Sequence, residues 1–140
     1  MTTINELYNY ADQEGVTVAA FSLNKREALS TMDTDGQCYV AIDPHKVTSS
    51  ADEKTKLAHE LGHCMTGSFY NVYSPCDSRQ RHENRADRWA IKKLITEEEL
   101  EHAVEKGYTE LWELAEFFNV TEDLMRKAVS LYKYGNLYSV

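Results

Sequence analysis

The stretch KLAHELGHCM, residues 56–65, decides how this chain is read. It sets His59, Glu60 and His63 among apolar residues. Each residue of an α-helix advances about 100°, so His59 and His63 fall about 40° apart on one face, with Glu60 about 60° from His63 on its flank. Two imidazoles so placed can share one ion while the carboxylate reaches a water beside it, which is the mechanical content of a His-Glu-x-x-His run. Zinc suits neutral imidazole, and a catalytic zinc keeps three protein ligands and one open water position. The pKa of that water falls toward ~7, so Glu60 can take its proton as general base and pass it on to a leaving amine.

The flanking residues supply the helix that this reading needs. Ser50 followed by Glu53 is a capping-box pattern opening a helix of about 15 residues, and Gly67 is its expected C-cap. Leu57, Leu61 and Met65 form a buried side, and Gly62 stands where a neighbouring backbone can pack closely. Cys64 lies about 140° around the helix from His59 and reads as a buried thiol outside the site.

A third ligand has to come from elsewhere in the chain. The candidates are His82 and Glu83 in RHENRADRWA, about 100° apart on the next helix, so that only one of them faces the ion. Glu83 is favoured because Asp87 lies at i+4 on the same face, where it can accept the spare N–H of a metal-bound histidine and hold its tautomer. Tyr70 and Tyr73, in the intervening segment, are candidate oxyanion donors. Cys76 is a weaker candidate near the metal, and His45 and His102 read as surface residues.

Further out, Ile4, Leu7, Tyr8 and Ala11 recur at helical spacing, predicting a helix over 3–14 that Gly15 stops. VTVAAF, 16–21, reads as a strand, and 27–32 and 37–43 flank DTDG as a hairpin that Pro44 ends. Residues 67–79 read as a loop bordering a cleft, followed by a helix over about 80–95. Thr96 with Glu99 caps a short helix that Gly107 closes. The last third reads as two helices with a turn at Asn119–Val120 and Thr121 as N-cap. The expected fold is α+β: one zincin-like domain over 1–140 with a short three-stranded sheet, the active-site helix and a helical, helix-turn-helix-like C-terminal part.

The 140 residues carry a formal charge of −8, about −4 over 1–50, +2 over 51–95 and −6 over 96–140. An acidic chain is a poor partner for phosphates, so no direct nucleic-acid binding is expected. The terminal helix pair offers Arg126 and Lys127 beside Glu122 and Asp123. It reads as an αα-hairpin packed through Leu114, Ala115, Phe118, Val120, Leu124 and Val129, with Trp112, Phe117 and Phe118 available to dock a protein. Cys38, Cys64 and Cys76 are odd in number and lack a CxxC pair, so reduced thiols and a cytoplasmic location are expected. The acidic N-terminus has no apolar targeting core, and no apolar run reaches 18 residues, so neither export nor a membrane span is expected.

KLAHELGH followed by ENRADRWAIKKLI resembles the ImmA/IrrE-type metallopeptidases of phages, mobile elements and bacterial stress systems. In that family HELGH precedes a helix of the form E-x-x-A-N-x-F-A-x-x-L-L, and Glu83, Ala86, Asp87, Trp89, Ala90 and Leu94 occupy those places. The departures are Asp87 for Asn, Trp89 for Phe, and Ile95–Thr96 where the family commonly has Met–Pro. The resemblance implies zinc held by His59, His63 and Glu83, with Glu60 as base. It also implies endopeptidase action on a helix-turn-helix transcriptional repressor, often encoded nearby. The competing expectation is a non-catalytic zincin-fold protein that sequesters a repressor without cutting it.

Overall fold

The structure, a computed structural model, describes residues 1–70 and 73–140. In chain order it consists of α1 (Ile4–Gln13), β1 (Thr17–Ala20), β2 (Ala28–Met32), β3 (Cys38–Ile42), α2 (Ser50–Thr66), α3 (Cys76–Leu94), α4 (Glu97–Glu105), α5 (Leu111–Phe118) and α6 (Glu122–Tyr134). The α+β architecture expected from the sequence is the one found.

The sheet order is β1-β3-β2, with β1 parallel and β2 antiparallel to β3. Asp33 makes the β2–β3 turn: its Oδ1 accepts from the backbone N–H groups of Asp35 and Gln37, while Gly36 takes φ 85. On β3 the residues Cys38, Val40 and Ile42 are buried and alternate with the less buried Tyr39 and Ala41. Strand residues opposite one another share a face, so Ala28, Ser30 and Met32, opposite Ile42, Val40 and Cys38, lie on the inner side. β2 is the strand that brings a polar side chain, Ser30, to that side.

Helix α2 packs between this sheet and α3, while α1 closes on α2 and β1. Leu57 and Leu61 are fully buried in the joint core, each worth about 1.5–3 kcal/mol of burial. Gly62 is what lets α2 and α3 approach: a Cβ there would lie 2.5 Å from the carbonyl oxygen of Ala86. The sequence placed close packing at this glycine, and the partner backbone is that of α3.

The helical C-terminal part docks on the start of α2. Buried Lys54 donates from Nζ to the carbonyl of Phe118 (2.8 Å), satisfying an orphan acceptor at the end of α5 where a cation also suits the helix dipole. Burial holds this amine below the usual lysine range. Thr121 N–H donates to Thr55 Oγ1 and Asn119 Nδ2 to Ser50 Oγ. α5 and α6 pack as a hairpin, with α6 against α3. Of the expected hairpin core only Val129 is not fully buried; Met125 and Ala128 are buried in the same helix.

Several boundaries differ from the sequence reading. α2 is capped by Ser49, whose side chain accepts from Asp52 N–H, and not by Ser50 with Glu53. α3 starts at Cys76, four residues earlier than expected, because Pro75 with φ −57 stands at its N-cap and pre-sets the helical entry. Cys76 is therefore an exposed helix-start residue and not a loop one. The expected loop over 67–79 is shortened accordingly, and its residues 71 and 72 lie outside those described.

The expectation of three reduced thiols is also corrected. Cys38 and Cys64 form a disulfide across β3 and α2, with Cα atoms 6.0 Å apart. An odd cysteine count argues for free thiols only while the strand order is unknown; once β3 lies under α2, two inward-facing cysteines meet.

Candidate metal centre

His59, Glu60 and His63 are carried by the second half of α2, His63 in its last turn, and Glu83 and Asp87 by the facing side of α3. Nε2 of His59 lies 2.7 Å from Glu83 Oε2, and Nε2 of His63 lies 3.2 Å from both Glu83 Oε1 and His59 Nε2. One donor atom from each of His59, His63 and Glu83 falls within 4.8 Å of the others, a grouping able to hold a metal ion.

Both imidazoles are oriented from behind. His59 Nδ1 donates to Asp87 Oδ1 (2.7 Å), and His63 Nδ1 donates to the carbonyl of Ser68 (2.5 Å), just past the end of α2. With Nδ1 of each ring committed as a donor, both Nε2 atoms point at Glu83. Two neutral imidazoles and a carboxylate so fixed suit zinc or a similar borderline divalent ion.

Without an ion, charge balances within the cluster. Burial would lower the pKa of His59, but its bonds to Asp87 and Glu83 outweigh that and push it up to about 10. Glu83 is the mirror case: burial alone would raise it, while His59, His63 and Tyr70 as donors hold it well below the carboxylate range. Asp87 is likewise held low, against its burial, by His59 and Lys127.

Glu60 is almost buried, and its Oε1 accepts from Ser30 Oγ at 2.8 Å. Among the described residues Oε2 has no hydrogen-bond partner. His59, Glu60 and Glu83 all line two cavities, of about 550 and 290 Å³. The larger runs toward Asp123, Lys127 and Tyr138, the smaller toward Ser30, Phe69 and Tyr70, and Arg26 borders both. The result is a cleft passing over the cluster.

The other sequence candidates lie elsewhere. His82 stacks on Tyr70 (ring centroids 6.2 Å apart) and is not in the ligand group. Tyr70 reaches the site, but its O–H is donated to Glu83 Oε1 (2.7 Å). Tyr73, His45 and His102 are exposed. Cys64 is committed to its disulfide.

Sequence reasoning missed Ser30, the Ser68 carbonyl and Lys127. Lys127 Nζ donates to Asp87 Oδ2 (2.9 Å) and lies 3.3 Å from Asp123, so a chain of charges runs from α6 through Asp87 to His59. The Asp123/Lys127 spacing of i,i+4 was the one local signal for it. Ser30 and Ser68 carried none.

The family model of the IrrE N-terminal-like domain, a peptidase family, matches residues 11–130, most of the chain. The chain belongs to that family. Comparison with curated proteins finds no match. As an IrrE N-terminal-like domain it is a metallopeptidase-type domain, and the resemblance first carried by HELGH and the helix after it extends across the sheet and into α6. Among its described residues, no helix is long and apolar enough to cross a membrane.

Proposed function

We propose that this IrrE-like domain is a zinc-dependent endopeptidase in which His59, His63 and Glu83 hold the metal, Asp87 orients His59, and Glu60 is the general base. The observation that carries the reading is the meeting of two Nδ1-anchored imidazoles and Glu83 beside Glu60, in a cleft open on both sides.

When bound, zinc supplies Lewis acidity that polarises a peptide carbonyl and makes a water more acidic. The protein's own residues do the rest. Ser30 fixes one oxygen of Glu60, and the other receives the proton of the attacking water and delivers it to the departing amine. Asp87 and the Ser68 carbonyl keep the histidine Nε2 lone pairs available.

The substrate in this proposal is a helix-turn-helix transcriptional repressor of a phage or mobile element, cleaved to relieve repression, as the family resemblance implies. The setting is the cytoplasm, although the Cys38–Cys64 bridge pulls toward an oxidising one.

The test pairs metal content with cleavage. Protein purified without added metal should carry about one zinc per chain, with His59→Ala losing it, Glu83→Ala weakening it and Glu60→Gln keeping it. Incubated with a repressor encoded beside it, the zinc-loaded parent should yield two fragments by mass spectrometry, and Glu60→Gln none. Repressor binding without fragments, unchanged by Glu60→Gln, would establish the sequestering protein instead; a metal-free parent after zinc is supplied would reject the peptidase.

A further inference from the structure

A second concavity lies away from the metal cluster, between α4, α5 and α6, with a volume of about 480 Å³. Its floor and walls are apolar: Leu100 and Leu114 are buried at the bottom, while Val104, Val129 and Tyr132 flank it and Val104 remains 45% exposed. One edge is a row of carboxylates. Glu97, Glu101 and Glu105 repeat every four residues along α4, about 6 Å apart. Among the described residues none of the three is in an ion pair, although neighbouring Glu99 holds the N-terminal amine. Among the described residues Lys133 is the one cation on the lining.

We propose that this groove docks a basic amphipathic helix of a partner protein. Apolar side chains at i, i+3, i+4 and i+7 of that helix enter between α4 and α6, and Lys or Arg at four-residue spacing on its flank meet Glu97, Glu101 and Glu105. Charge complementarity selects the occupant: an acidic segment, a phosphate backbone or an anionic lipid surface meets three unpaired carboxylates. The walls select its conformation, because helices whose backbone groups bond internally offer no edge for an added strand.

The groove is separate from the cleft. On α6, Lys127 lines the cleft, whereas Val129, Tyr132 and Lys133 line the groove, about 120–160° around the helix by the same 100° step. A docked partner therefore leaves the metal cluster open. Nothing here depends on the catalytic proposal, and the test does not measure cleavage.

The probe is a capped, fluorescein-labelled 15-residue peptide of Leu, Ala and Lys, with Leu on one face at i, i+3, i+4, i+7 spacing and Lys at i, i+4, i+8 beside it. A counterpart carries Glu in place of every Lys. Anisotropy titrations use the full chain and the double variant Glu101→Lys/Glu105→Lys, which reverses charge at exposed positions in the last turns of α4, where cations suit the helix dipole. The parent should bind the Lys peptide saturably, at least about tenfold tighter than the variant does, and the variant should gain affinity for the Glu peptide. Methyl resonances of Val104 and Val129 should shift on binding. Equal affinity of parent and variant for the Lys peptide, no saturable binding by a folded parent, or shifts confined to the Arg26–Lys127 cleft would overturn the proposal.

Discussion

Gly62→Ala tests whether the approach of α2 to α3 builds the proposed metal centre. The added Cβ would sit 2.5 Å from the Ala86 carbonyl oxygen and 3.0 Å from its carbonyl carbon and Cα. Ordinary contact begins about 0.9 Å farther out, and the opposing atoms are mid-helix backbone that cannot rotate away. α3 must therefore withdraw by about 1 Å, and Ala86 sits between Glu83 and Asp87, so both move with it. A metal site tolerates only about 0.2 Å of ligand displacement, so affinity for zinc should fall by about 10–100-fold. Stability responds less: overpacking costs about 1–3 kcal/mol, but alanine returns roughly 1 kcal/mol of helix propensity. The assay is a competitive zinc titration against a fluorescent chelator, with thermal unfolding of the metal-free protein alongside. Parental zinc affinity in a variant that unfolds at the parental temperature would show that the close approach is not what sets the ligand geometry.

Four more outcomes follow from contacts of the same fold. His59, held at about 10, is protonated in the metal-free protein at neutral pH, so zinc uptake should release about one proton from it, read by calorimetry in buffers of different ionisation enthalpy. Because its folded pKa is raised, His59 stabilises the metal-free protein fully below about pH 6.5, and that contribution should fade as the pH rises through about 10. Lys127→Met leaves Asp87 Oδ2 without its cation and should weaken zinc binding by about tenfold, with Lys127→Arg recovering most of it; unchanged affinity in the Met variant would remove α6 from the centre. Reducing Cys38–Cys64, which closes 26 residues, should lower stability by about 3 kcal/mol in denaturant titrations, and no change would mean that the bridge does not constrain the unfolded chain.

Features that depend on neighbours within a few residues were legible before any packing. His59 and His63 converge because four residues bring an α-helix back to the same face, and Nε2 to Nε2 they stand 3.2 Å apart. Gly15 and Gly67 were legible as helix stops because each takes positive φ, and Thr96 with Glu99 because a capping box is local chemistry. Asp87 was legible from its spacing to Glu83. Even at short range competing signals misled: Pro75 resembled loop punctuation and instead opens α3.

Which surfaces meet depends on how the elements pack. Ser30 reaches Glu60 across 30 residues because the β2–β3 register turns it inward, and Lys127 reaches Asp87 across 40 because α6 packs on α3. Cys38 finds Cys64 because β3 lies beneath α2, and Glu83 rather than His82 faces the imidazoles because α3 is rotated to turn Glu83 and Asp87 toward His59. Periodicity states which face of each element is apolar. The choice of which faces oppose one another, and in which register, belongs to the packing of the whole chain.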